Sequence, residues 1–285
     1  MDAFLQALAQ GFLVGSTYGL LALGMGLVYG VSGVVNFSHG DFVSLGMFLC
    51  LALYSALSLD PYASLVITLP VMTALGALVY RFLIRPIARH HLLMIIQLTL
   101  GLTFILQNGL LMVFGGTPQR VPSVVESKLI ILGDVVVRMP HVIACAASFV
   151  LAGALYAMLR GTDFGRSIRA VHQNARAAAL MGVDVGRVQV LTFALGIGLL
   201  AIAAALLLPG TPIHPSQGLR YTVITLLVIV LGGMTNFAGI LLGGLIVGMS
   251  EAFGTIYFPD VLGLLLPYLI FVGIMLFRPR GVIGA

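Results

Sequence analysis

Residues 162–187 read TDFGRSIRAVHQNARAAALMGVDVGR, and they stand between two long apolar runs. At helical spacing Phe164, Ile168, Val171, Ala175 and Ala178 fall on one stripe, with Arg166, Arg169, Gln173 and Arg176 on the opposite one. A solvated loop has no use for an apolar stripe. The segment is therefore expected to lie against the bilayer surface, the body of the protein or a partner's groove. Its arginines resist translocation, which sets the direction in which the rest of the chain crosses.

The chain has 285 residues, 60% of them hydrophobic and 8% charged, where a soluble domain carries about 25% charged residues. With a mean hydropathy of +1.13 it reads as an all-α integral membrane protein. The longest polar intervals, 115–138 and 160–187, are single connections, so one transmembrane domain is expected over 1–285. The net charge of +5 follows from loop orientation. The basic residues are dispersed among spans without aromatic interleaving, which excludes nucleic-acid binding. Cys50 and Cys145 lie inside apolar runs and suggest neither a disulfide framework nor a metal site. The opening MDAFLQALAQ lacks the positive region of a cleavable signal and is expected to be a retained first span.

Apolar runs long enough to cross a bilayer occupy 6–30, 40–58, 62–84, 92–114, 139–159, 188–208 and 262–278. The stretch 221–254 is too long for one span. Gly232, Gly233, Asn236 and Gly239 interrupt it, so it reads as two shorter helices joined by a break, for eight or nine spans in all. Arg81, Arg85, Arg89, Arg160, Arg166, Arg169, Arg176, Arg187, Arg278 and Arg280 share one side, with Arg120, Lys128, Arg138 and Arg220 on the other. Ten against four makes the first side cytoplasmic and leaves 115–138 as an external loop able to form a short hairpin around LIILGDVVVR.

Gly11, Gly15 and Gly19 repeat every four residues, as do Gly26 with Gly30, Gly239 with Gly243, and Gly244 with Gly248. Small residues at that spacing let helix backbones approach closely in a bilayer, so a packed polytopic bundle is expected. Two short stretches look alike: GVVNFSHGDF at 33–42 and GGMTNFAGIL at 232–241. Each is a candidate broken helix beside a translocation path, or else an ordinary turn between spans. Asn36, His39, Asp41 and Asn236 are the candidate polar residues of such a path. His39, Asp41 and Glu251 lie nearest membrane depth and need pairing, hydration or an interface, with an interfacial place expected for the first two. Gln97, Gln107 and Asn108 are expected to hydrogen-bond between helices.

Several chemistries are missing. The only lysine is Lys128, so no phosphate-cradling Gly-x-x-x-x-Gly-Lys-Ser/Thr loop exists and the chain cannot hydrolyse ATP that way. No HExxH motif or His-x-x-x-His spacing is present, and Ser250 lacks a nucleophile's setting, so no catalytic residue, metal or cofactor is expected.

TDFGRSIRAVHQNARAAALMGVDVGRVQVLTFALG resembles the cytoplasmic coupling region of permeases in the branched-chain amino acid ABC transporter family, the LivH type. GVVNFSHGDF, LGGMTNFAGILLGGLIVG and LFRPRGVIG resemble that family's other signatures in the same order, across essentially the whole chain. The resemblance implies an ABC importer permease fold in a bacterial inner membrane. It further implies pairing with a second permease as a probable heterodimer, two cytosolic ATPase subunits, and a periplasmic binding protein that delivers branched-chain amino acids. Phe164, Gly165, Arg166 and Arg169 would belong to the ATPase-coupling segment 162–187. A short helix 175–181 would follow, with Asn174 as N-cap and Gly182 as terminal glycine. Of the importers' Glu-Ala-Ala-x-x-x-Gly pattern, Ala177, Ala178 and Gly182 fit, while Arg176 stands in place of the glutamate. Related permeases carry urea, short amides or other amino acids. The alternatives from other classes are an ion-coupled carrier using His39, Asp41 or Glu251, and a non-transporting scaffold.

Overall fold

A computed structural model describes residues 2–87, 92–133, 135–258, 261–278 and 281–282. The long helices are α1 (Asp2–Ser32), α2 (His39–Leu57), α3 (Pro61–Val79), α5 (Leu92–Phe114), α6 (Met139–Gly161), α8 (Val185–Leu207), α9 (Gly218–Gly232), α10 (Phe237–Tyr257) and α11 (Val261–Phe277). A π-helical turn, Tyr80–Ile84, and a short α4 (Arg85–Ile87) extend α3, and α7 (Asp163–Leu180) is the polar helix. Among the described residues eight helices are long and apolar enough to cross a membrane, and a shorter apolar helix runs over Gly263–Phe277. These elements match the expected spans within a few residues, including the division of 221–254 into α9 and α10.

Local chemistry sets the boundaries. Asp60 accepts a hydrogen bond from the Tyr62 amide and Pro61 occupies the first turn of α3, while Asp184 caps α8 through the Arg187 amide. Gly233, at φ +89°, ends α9 in a conformation that L side chains resist.

The parity of the crossings follows from where the described ends of the chain sit. Gln6 exchanges two hydrogen bonds with the backbone of Val136 in a hairpin, placing the start of α1 at that end. The Val282 amide bonds to Leu231 O at the far end of α9, beside the turn that leads to α10. Thr235 of that turn shares a cavity with Arg160, Arg169 and His172, so residues 281–282 lie at the basic end. Opposite ends for Gln6 and Val282 require an odd number of crossings between them, the higher of the two expected counts. Arg89 and Arg280, counted with the basic side, lie outside the described residues. Arg220, counted with the opposite side, stands in the first turn of α9 with its side chain 58% exposed.

The hairpin joins β1 (Leu129–Leu132) to β2 (Val135–Arg138) in antiparallel register, Leu129 opposite Arg138. It is the short hairpin expected within 115–138. A bridge between Gln119 and Ile213 ties the same loop to the connection after α8.

Helix α1 is the central post, enclosed over most of its length, whereas α3, α5 and α6 present most of their surface outward. Its glycines bear out the packing expected of them. A Cβ on Gly15 would lie 2.7 Å from Gly244 O and one on Gly11 would lie 2.6 Å from Met249 Cα, so α1 and α10 touch backbone to backbone. Apolar burial drives little helix association in lipid, and close van der Waals contact of this kind takes its place.

The replacement Gly15→Ala is expected to lower the stability of the detergent-solubilised protein by about 1–3 kcal/mol, because backbone cannot yield as a flexible side chain does. Gly153→Ala, where nothing lies within 4 Å of the new methyl group, is expected to leave it unchanged or raised. Denaturant unfolding of the two variants side by side checks both.

Candidate functional site

Two regions carry the residues singled out from sequence: the basic segment after α6, and the connection between α1 and α2.

The basic segment opens with a tight reversal. Thr162 Oγ1 accepts from the Gly165 amide at 3.0 Å and donates to Met158 O at 2.7 Å, so one hydroxyl caps both helix ends. A Cβ on Gly165 would lie 2.6 Å from Leu159 Cα, and only glycine admits this approach. Ile168 and Val171 are buried, Phe164 is half-buried, and Arg166 and Arg169 are exposed, as the stripe requires. Arg166 pairs with Asp163, and His172 Nδ1 bonds the Gly30 carbonyl, tying the helix to the end of α1.

At Asn174 the helix kinks, with φ −159° and ψ 100°. Asn174 Oδ1 accepts from the Ala177 amide at 3.0 Å, which starts a second short helix at the expected N-cap. Gly182, at φ +88°, ends it. Its amide bonds Ala179 O and the next amide, Val183, bonds Ala178 O, the paired hydrogen bonds of a Schellman cap. The kink corrects one part of the sequence reading. The apolar stripe does not continue through Ala175, which is exposed along with Ala177, because the backbone turns away from the protein at Asn174. Ala178 alone stays buried, while Leu180 and Met181 are 89% and 85% exposed at the tip.

The two look-alike stretches adopt different structures. Around residues 232–237 the chain makes a tight turn, in which Asn236 Oδ1 caps α10 by accepting from the Gly239 amide at 3.1 Å. Residues 33–38 instead re-enter the bundle. His39 Nε2 donates to Leu21 O at 3.0 Å, and Leu21 lies 11 residues before the end of α1, about 16 Å back along it at 1.5 Å per residue. Six extended residues span up to about 20 Å, enough for that climb.

The re-entrant stretch carries its own hydrogen-bonding partners. Asn36 Oδ1 accepts from the Ser38 amide and hydroxyl, and Phe37 O accepts from Thr222 Oγ1 at 3.2 Å and Thr103 Oγ1 at 3.5 Å. Thr222 Oγ1 also accepts from the Gly40 amide at 2.9 Å. Gln107 Nε2 donates to Asp41 Oδ1 at 2.9 Å, the interhelical bond expected of it, whereas Asn108 bonds Phe104 O of its own helix and Gln97 is exposed. Asn36, His39 and Asp41 are each 1% exposed, so His39 and Asp41 are enclosed by protein. The nearer a broken backbone comes to the bilayer centre, the more protein must surround it.

Glu251 finds partners that sequence did not join. Arg220 Nη2 donates to Glu251 Oε1 at 2.7 Å and Tyr18 Oη donates to Oε2 at 2.8 Å, linking α9, α10 and α1.

A glycine-packed helical bundle with a re-entrant segment and a capped polar helix at its basic end is a multi-pass membrane protein. A sequence profile described as the permease component of the branched-chain amino acid transport system matches residues 7–275, and the chain belongs to that family. It is 28% identical to the high-affinity branched-chain amino acid transport system permease protein BraD of Pseudomonas aeruginosa, over 99% of this chain and 96% of that one. Identity and coverage are the same for the permease LivH of Escherichia coli K12. A shorter match, 40% identical over 31% of this chain and 29% of its relative, is to the probable ABC transporter permease protein YphD of Escherichia coli K12. No solved structure matches.

The variant Gly182→Val is expected to strain the Schellman cap by about 1–2 kcal/mol, since a β-branched residue cannot settle at φ +88°. Hydrogen exchange should quicken at the amides of Gly182 and Val183 and stay unchanged around Ile168.

Proposed function

We propose that this chain is one permease subunit of an ATP-driven importer for branched-chain amino acids, in a bacterial inner membrane with its basic end in the cytoplasm. The chain is a transport component, and ATP hydrolysis belongs to partner subunits. The observation that carries this reading is the short helix after Asn174, capped at both ends and turned away from the body of the protein with Leu180 and Met181 bare. A helix so built and so exposed suits a groove on a cytosolic ATPase. Arg176, in place of an acidic residue, makes the contact one of shape and apolar burial with a positive rim.

The work is transmitted through differential contact. An ATPase dimer that grips the short helix differently in its open and closed states shifts the permease between its two access states by that difference in binding free energy. Thr162, Gly165 and the His172 bond to Gly30 make the segment a stiff extension of α6 and α1, so a push at the tip reaches the bundle. A second permease subunit, two ATPases and a periplasmic binding protein complete the assembly. Asn36, His39 and Asp41 hold the re-entrant segment beside the path, and Asn236 holds the turn at its basic end.

Uptake by the reconstituted complex tests the reading. Leucine, isoleucine and valine are expected to enter proteoliposomes only with ATP, ATPases and binding protein present. Arg169→Glu and Gly182→Val are expected to cut uptake about tenfold or more while the chain still inserts, a loss equal to about 1.4 kcal/mol of coupling. Transport driven by an ion gradient without ATPase, or uptake of urea or short amides in place of amino acids, overturns it.

A further inference from the structure

Three cavities follow one another down the bundle from the hairpin end. The first, about 350 Å³, is lined by Gln6, Gln10, Arg138 and His141. The second, about 200 Å³, shares His141 with the first and adds Arg220 and Glu251. The third, about 250 Å³, shares Arg220 and Glu251 with the second, and its walls are otherwise largely apolar, with Ile224, Leu227, Val247 and Leu264. The Arg220–Glu251 pair is thus the partition between two cavities.

This pair is built unlike a simple strut. Arg220 is 58% exposed and Glu251 17% exposed, in helices that otherwise read as spans. A bare guanidinium facing hydrocarbon is costly, a penalty that a hydrated cavity removes. Arginine carries five N–H donors, of which Nη2 is directed at Glu251, so donors remain for a second carboxylate. Tyr18 fixes the other oxygen of Glu251 and leaves lone pairs on both oxygens for a cation. Val14, Ala144 and Leu206 supply apolar wall beside the charges.

We infer that the Arg220–Glu251 pair is a binding site within this chain for a zwitterionic amino acid with a small apolar side chain. Its carboxylate lies on Arg220, its ammonium on Glu251 and its side chain against the wall of the second cavity. Arg220 and Glu251 part from one another to admit it, which connects the second cavity to the third. The charges of such a ligand replace the ion pair one for one, so the site stays neutral whether filled or empty. A cavity of about 200 Å³ falls below the range of drug-sized pockets and suits a single small metabolite. The inference rests on the reading of the chain as an amino-acid permease, and it names where the substrate is held.

The test is equilibrium binding of radiolabelled leucine to the complete complex in nanodiscs, without ATP or binding protein. Leucine is expected to bind saturably. Its analogues 3-methylbutylamine, lacking the carboxylate, and 4-methylpentanoate, lacking the ammonium, are each expected to bind at least about tenfold more weakly. Glu251→Gln should weaken leucine about tenfold and narrow its margin over 4-methylpentanoate, and Arg220→Gln should narrow the margin over 3-methylbutylamine. Ala144→Phe, which fills the cavity and spares both charges, should abolish binding. Equal binding of leucine and both analogues, or no saturable binding at millimolar leucine, overturns the site. Should a variant fail to insert, the analogue series on the unaltered complex still decides. Uptake without binding removes the site and keeps the permease, whereas binding without uptake keeps the site and removes the permease.

Discussion

Inside a bilayer no water is available to backbone N–H and C=O groups, and residues 33–38 are where this chain meets that constraint most severely. Helices satisfy it automatically, but an extended stretch at membrane depth must borrow partners from its neighbours. Here Thr222 and Thr103 serve the Phe37 carbonyl, Thr222 also serves the Gly40 amide, and Asn36 closes a turn on Ser38. The two threonines come from α5 and α9, so the re-entrant stretch depends on both helices for its backbone partners.

Glycine meets a complementary constraint. The enclosing helices have to come close enough to exclude lipid, and the α1–α10 contact does so by removing side chains from both faces. The same device recurs where α9 meets α10, with Gly243 set against Val228 O. The bundle is rigid along this seam. The polar helix α7 hangs from it by a hydroxyl cap and a histidine contact, and its tip stands free.

Much of this was legible in sequence because the signals are local. Span boundaries follow from apolar length, the glycine seam from four-residue spacing, and the caps at Asn174 and Gly182 from residue type. What was not legible depends on distance in the chain. The Asn-Phe pairs at 36–37 and 236–237 have the same letters, yet one is re-entrant, its backbone met by threonines of α5 and α9, and the other a tight turn closed by its own asparagine cap. The pairing of Arg220 with Glu251 was not legible because the two are 31 positions apart. Ala175 read as buried because a helical wheel assumes a straight axis, and Asn174 bends it.

Gly40 and Gly218 bring the starts of α2 and α9 into backbone contact, with Asp41 wedged against Gly218. Each helix start bears roughly half a positive elementary charge, so two abutting starts would repel one another. Asp41 sets its carboxyl group at that joint, where the two like poles meet.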